Sequence, residues 1–144
     1  MTQKDLIRAK ELLLTGGYTC VFCEGERVET DTWRGVAPLL ARYEAGKTLE
    51  GFAVADKVVG LGAAHLYLLL LAKNIYAAVI SAPALALLEA SGAAVEFDEC
   101  PPYIKNRAGT GRCPIESAVD GIREPQEALA AIRARLSELQ NKGG

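Results

Sequence analysis

A three-layer α/β/α domain with a mixed sheet is the fold that this sequence predicts, and three observations predict it. A β-rich run, Tyr18–Cys23, is followed across a tight Glu24-Gly25-Glu26 turn by Arg27–Thr30, which makes an antiparallel hairpin. From residue 51 onward, short apolar strands alternate with apolar helices over short links, the pattern of parallel strands with helices on both faces. The composition, 50% hydrophobic and 24% charged over 144 residues, is that of one folded domain. A chain of this length buries about two thirds of its unfolded surface and needs neither metal nor disulfide for stability.

Each element has a local reason. Asp5–Leu14 carries an apolar stripe of Leu6, Ile7, Ala9, Leu13 and Leu14, and Gly16-Gly17 ends it as a helix. Beyond the hairpin, Gly35–Tyr43 reads as a helix with Pro38 in its first turn and Gly46 as its stop. Gly51–Ala55 is a short buried strand. Val58–Lys73 is a helix apolar almost all round, so protein must cover nearly every face of it. Ile75–Ile80 is a second buried strand, Pro83–Ala90 a helix closed by Gly92, and Ala94–Phe97 a third strand. Cys100–Arg112 is a loop long enough to be functional by its length alone, and Cys113–Val119 is a short helix. Pro125 opens a last helix in which Leu129, Ile132, Leu136 and Leu139 form a seam. Residues 1–121 are thus expected to form the domain, and 122–144 a terminal helix that packs on it or pairs two chains as a homodimer.

Composition excludes some classes of function. Sixteen Lys and Arg against eighteen Asp and Glu give a net charge of −2, which argues against a nucleic-acid-binding surface. The apolar stretch from Val58 to Ala72 is shorter than the ~20 residues of a membrane helix, and no membrane partner is expected. The first residues lack the layout of a signal peptide, so a cytoplasmic location is expected, with Cys20, Cys23, Cys100 and Cys113 as free thiols.

The order helix, hairpin, helix, strand, helix, strand, helix, strand resembles the cytidine-deaminase-like superfamily. Three stretches bring it closest to an uncharacterised branch of that superfamily that lacks zinc: Ala55–Gly60, Val79–Ala84 and Pro102–Glu116. The resemblance spans residues 5–120. It implies a cytidine-deaminase-like fold, and it invites a test for deamination. That chemistry needs a His or Cys with a nearby Glu at one helix start and Pro-Cys-x-x-Cys at the next. After the second strand stands Pro83-Ala84-Leu85-Ala86-Leu87, with Ala84 and Leu87 where thiolates are needed, and no acid lies between Asp56 and Glu89.

Other motifs yield to plainer readings. Cys20-x-x-Cys23 has zinc or redox spacing, but on a strand these positions face opposite ways. Gly60-x-Gly62 resembles the start of a dinucleotide loop, yet His65 takes the third glycine's place, and close helix packing explains both glycines better. His65, the only histidine, reads as a core residue with one hydrogen bond.

The loop is the most informative stretch. Lys105, Arg107 and Arg112 bring three positive charges, Gly109 and Gly111 let backbone approach a ligand, and Thr110 adds a hydroxyl. Cys113 precedes Pro114 at a helix start beside arginines, where a thiolate is favoured. Ligands of such sheets bind outside the carboxyl ends of the strands. The expected function is therefore the binding of a small anionic or nucleotide-like ligand, without zinc-dependent deamination. Asp56, Lys57 and Ser81 at that edge, with Asn106 and Arg107 of the loop, are the expected ligand contacts, and no metal or cofactor is expected. Two alternatives are a thiol-dependent enzyme with Cys113 as its catalytic residue and a structural or assembly protein built on the terminal seam.

Overall fold

The computed structural model describes residues 2–32, 36–105, 109 and 111–143. The chain runs α1 (Thr2–Gly16), β1 (Cys20–Glu24), β2 (Arg27–Asp31), α2 (Ala37–Glu44), β3 (Ala53–Val59) and α3 (Leu61–Leu69). It continues β4 (Asn74–Ile80), α4 (Ala82–Ala90), β5 (Ala94–Glu99), α5 (Pro114–Ala118) and α6 (Pro125–Gly143). The five strands form one mixed sheet in the order β2-β1-β3-β4-β5. β1 is antiparallel to both β2 and β3, while β3, β4 and β5 are parallel. The α/β class and the mixed sheet are those the sequence predicts.

The hairpin turns on Gly25, whose φ of 59° at the first turn position is the conformation a two-residue hairpin with leading glycine adopts. Strand alternation then sends Val21 and Cys23 to one face and Cys20 and Phe22 to the other. On the first face α1 lays Leu6, Ala9 and Leu13 over Val21, Cys23, Ala53, Ala55 and Tyr76. On the second face lies the larger core, built by α2, α3 and α4, with α5 and α6 packed outside α3. Cys20 and Cys23 are therefore separated by the sheet, both as free thiols.

Several boundaries differ from the sequence reading, most of all those of β3 and α3. β3 runs on through Val58 and Val59, because the pairing of Val58 with Val79 and Val59 with Ile80 extends the ladder through β-branched residues that suit a strand. α3 consequently starts at Leu61, not at Val58. It ends at Leu69, not at Lys73, because Leu71 takes a left-handed φ of 64° and the Ala72 N–H closes onto the Tyr67 carbonyl at 3.0 Å. The predicted helix start at Gly35 falls outside the described residues.

α3 is buried from Leu61 through Tyr67, which its apolar sequence requires. α6 supplies one of its covers: Leu129 and Ile132 of the terminal seam are buried against it together with Ala128, Leu136 is half-buried and Leu139 is exposed. Among the described residues, no helix is long and apolar enough to cross a membrane.

Gly62 permits this stacking. A Cβ placed there would lie 2.7 Å from Ile115 Cγ2 and 3.5 Å from Ile132 Cδ1. Ile115 is β-branched and half-buried, so it cannot swing aside freely. Gly62→Ala should therefore lower stability by about 1–3 kcal/mol, measured by urea unfolding, and should leave the far-UV helix signal nearly unchanged.

Candidate functional site

At the carboxyl edge of the sheet, β3 and β4 hand over to the starts of α3 and α4, and a helix start exposes N–H groups that lack partners within the helix. Ser81 caps α4: its Oγ accepts from the Ala84 N–H at 3.4 Å. The same hydroxyl donates to Glu116 Oε2 at 2.5 Å. The first N–H of α3, on Leu61, donates to that oxygen at 2.9 Å, and the Ile104 N–H donates to Oε1 at 2.5 Å. Glu116 is 1% exposed, so α5 delivers a carboxylate into the interior, where three donors meet it. An acceptor-only group with donors on both oxygens is satisfied there, and the positive ends of the helix dipoles favour it. Gly60 leaves it room, since a Cβ there would sit 3.4 Å from Oε2.

The same tie anchors the long loop. Its base is held by the Ala82 N–H on the Pro101 carbonyl at 2.8 Å, the Cys113 N–H on the Ile104 carbonyl at 2.7 Å, and an antiparallel bridge between Lys105 and Arg112. Against this base and the strand ends lies a hollow of about 270 Å³, lined by Val58, Val79, Pro101, Tyr103, Ile104 and Lys105. Lys105 and Lys57 are both exposed and form no ion pair among the described residues.

A second polar cluster is buried beneath α3. Tyr67 Oη donates to Asp56 Oδ2 at 2.5 Å, and the Val58 N–H donates to Oδ1 at 3.3 Å. Cys20 pairs with Asp56 across the β1–β3 ladder. Burial outweighs these hydrogen bonds and pushes the Asp56 carboxyl up to about 7. Burial, with Asp56 beside it, also raises the Cys20 thiol, which makes it a poor nucleophile.

The structure divides the residues that the sequence groups together. Ser81 is buried beneath Glu116, Asp56 faces Tyr67 in the core, and Lys57 is exposed but does not line the hollow. Asn106, Arg107 and Thr110 lie outside the described residues. Cys113 is half-buried at the start of the five-residue α5, and the Arg112 guanidinium beside it pairs with Asp120 at 3.2 Å. His65 is fully buried. Its Nε2 pairs with the Ile122 carbonyl at 3.1 Å, and its Nδ1 has no hydrogen-bond partner among the described residues, so no hydrogen bond links it to Cys113. Burial lowers the pKa of His65 and keeps the ring neutral.

Sequence reasoning did not find the roles of Glu116, Tyr67 and Tyr103. For Glu116 a signal exists: it is the only acid between Glu99 and Asp120, directly after Pro114-Ile115 at a helix start. Tyr67 and Tyr103 carry no comparable mark, because an aromatic in an apolar helix or a loop has many ordinary uses.

The profile of a family described as a domain of unknown function (DUF1893) matches residues 8–136. A crystal structure of a DUF1893 family protein from Thermotoga maritima is similar along nearly the whole chain. Its TM-score is 0.82 at 29% identity, covering 96% of this chain and 92% of that one. No curated protein matches the sequence.

Two outcomes follow from the buried carboxylates. Glu116→Ala strands the Leu61 and Ile104 N–H groups and the Ser81 hydroxyl together and should cost about 3 kcal/mol or more in urea unfolding. Glu116→Gln keeps the shape but turns an amide donor toward other donors, and it should recover only part of that loss. For Asp56, the unfolded chain loses its proton near pH 4, while the folded protein holds it to about 7. Stability should therefore fall as pH rises between those values and level off above 7. Asp56→Asn removes that slope, so the variant should gain on the wild type between pH 5 and pH 8 in paired urea titrations. His65 contributes the opposite slope, a loss of stability as pH falls below about 6.5, which the variant should retain.

Proposed function

Because the chain belongs to the DUF1893 family, a domain of unknown function, its activity has to be read from its own geometry, and we propose that it binds a small anionic ligand at the carboxyl edge of its sheet. The observation that carries this reading is the hollow beside the loop base, with Lys105, which forms no ion pair among the described residues, on its wall. Its position outside the carboxyl ends of parallel strands is where α/β sheets bind their ligands. The pinned loop base holds the wall in place before any ligand arrives, which lowers the entropy lost on binding.

The proposal includes a cytidine-deaminase-like fold without zinc-dependent deamination. Element order and the mixed sheet support the fold. The two helix starts do not fit zinc. They present Gly60-Leu61-Gly62 and Ala82-Pro83-Ala84, and the one carboxylate between them, Glu116, already accepts three hydrogen bonds. Among the described residues, no three His, Cys, Asp or Glu side chains are grouped to hold a metal ion.

Scanning fluorimetry tests the reading with cytidine monophosphate, glucose 6-phosphate and benzoate, each beside its neutral parent: cytidine, glucose and benzyl alcohol. A ligand at ten times its Kd adds about 1.4 kcal/mol and should raise Tm by about 3 °C. At least one anion should do so where its parent does not, and Lys105→Ala should abolish the shift. A panel in which no anion exceeds its neutral parent overturns the proposal.

A further inference from the structure

The walls of the hollow narrow the chemistry of what it takes. Of the six residues that line it, Val58, Val79, Pro101 and Ile104 are apolar, Tyr103 is aromatic and Lys105 is cationic. Val58 is 47% exposed and Tyr103 37%, although Val54, Val59 and Tyr76 of the neighbouring strand positions are fully buried. Apolar surface left open around a concave site marks a place where another apolar body sits. A sugar or a polyphosphate finds little here, because the lining offers one ammonium, one phenol and no carboxylate or amide side chain. Size sets a second limit. An apolar cavity of about 150 Å³ holds one benzene ring, and sites for drug-sized ligands begin near 300 Å³. At about 270 Å³ the hollow fits one ring system and one head group, too little for a dinucleotide.

Resting on the anionic-ligand reading above, we infer that the ligand is an aromatic compound with a single anionic group, a carboxylate or a phosphate monoester. Its ring lies against Val58, Val79 and Tyr103, and its charge meets Lys105. Tyr103 supplies an aromatic partner for the ring, and the two valines supply the apolar wall that excludes water around it. Lys105 is exposed and reaches the rim on a flexible stem, which suits a point-charge contact with an anion of either shape.

Phenyl phosphate, inorganic phosphate and phenol are the probes, titrated calorimetrically into the full chain, with the Val58 and Val79 methyl resonances followed by NMR. Phenyl phosphate should bind about tenfold tighter than either of the other two, the factor that 1.4 kcal/mol represents, and should shift both valine methyls. Val58→Asp places a like charge on an exposed wall position and should abolish binding, whereas Val58→Leu should preserve it. Tyr103→Ala should weaken phenyl phosphate and leave the melting temperature of the free protein within a few degrees. If inorganic phosphate binds as tightly as phenyl phosphate, the ring has no role and this inference falls, while the anionic-ligand reading stands. If phenol matches phenyl phosphate, both fall; if none of the three binds, this inference falls, and the panel of anions decides the reading it rests on.

Discussion

A single carboxylate, that of Glu116, ties together the parts of this protein that meet at the carboxyl edge of the sheet. Removing such a group from water costs several kcal/mol, which is recovered only if its oxygens are met by donors. Here the donors come from three places: the start of α3, the hydroxyl that caps α4, and the long loop at Ile104. The requirement to satisfy one buried charge therefore fixes the positions of two helix starts, a loop base and the short helix α5 relative to one another. Hydrogen bonds to a charged acceptor are worth about 1.5–3 kcal/mol each, roughly twice a neutral one, so the tie is stiff as well as specific.

The packing around α3 answers to the same constraint. This helix carries almost no polar surface, and the chain encloses it between the sheet, α2, α4, α5 and α6. Close approach of α5 is what carries Glu116 inward, and it is possible because Gly60 and Gly62 present no side chain at the point of contact. The glycines that look like the start of a phosphate loop serve a carboxylate supplied by the protein itself. An external anion thus finds the helix starts filled, whereas the hollow beside the loop base presents Lys105, which forms no ion pair among the described residues.

Asp56 illustrates a different balance. It accepts a hydrogen bond from Tyr67 and another from the backbone, yet burial wins and its proton is held to about 7. Glu116 meets three donors and two helix starts, while Asp56 sits in the interior of a sheet whose backbone groups are mostly committed to the ladder. The two buried acids differ in how many donors the fold can spare for them, and Asp56, held protonated to about 7, makes the core sensitive to neutral pH.

What the sequence determined by itself is the set of elements and their class. The periodicity of Leu6, Ala9 and Leu13, the Gly25 turn and the apolar runs of β3, α3 and β4 are local signals, carried by residues within a turn or a strand of one another. The strand alternation that separates Cys20 from Cys23 is legible for the same reason. Boundaries were less so: Val58 and Val59 join β3 because β4 lies alongside to pair with them, a fact about a neighbour some 20 residues away. The candidate site was legible only in its location, the carboxyl edge and the loop. Its membership was decided by tertiary contacts, which bring Glu116 to Leu61 across 55 residues and to Ser81 across 35. No local pattern announces such a meeting, because a carboxylate in the first turn of a helix reads the same whether it faces water or turns inward. Only the folded chain, which had to find donors for it, settled the choice.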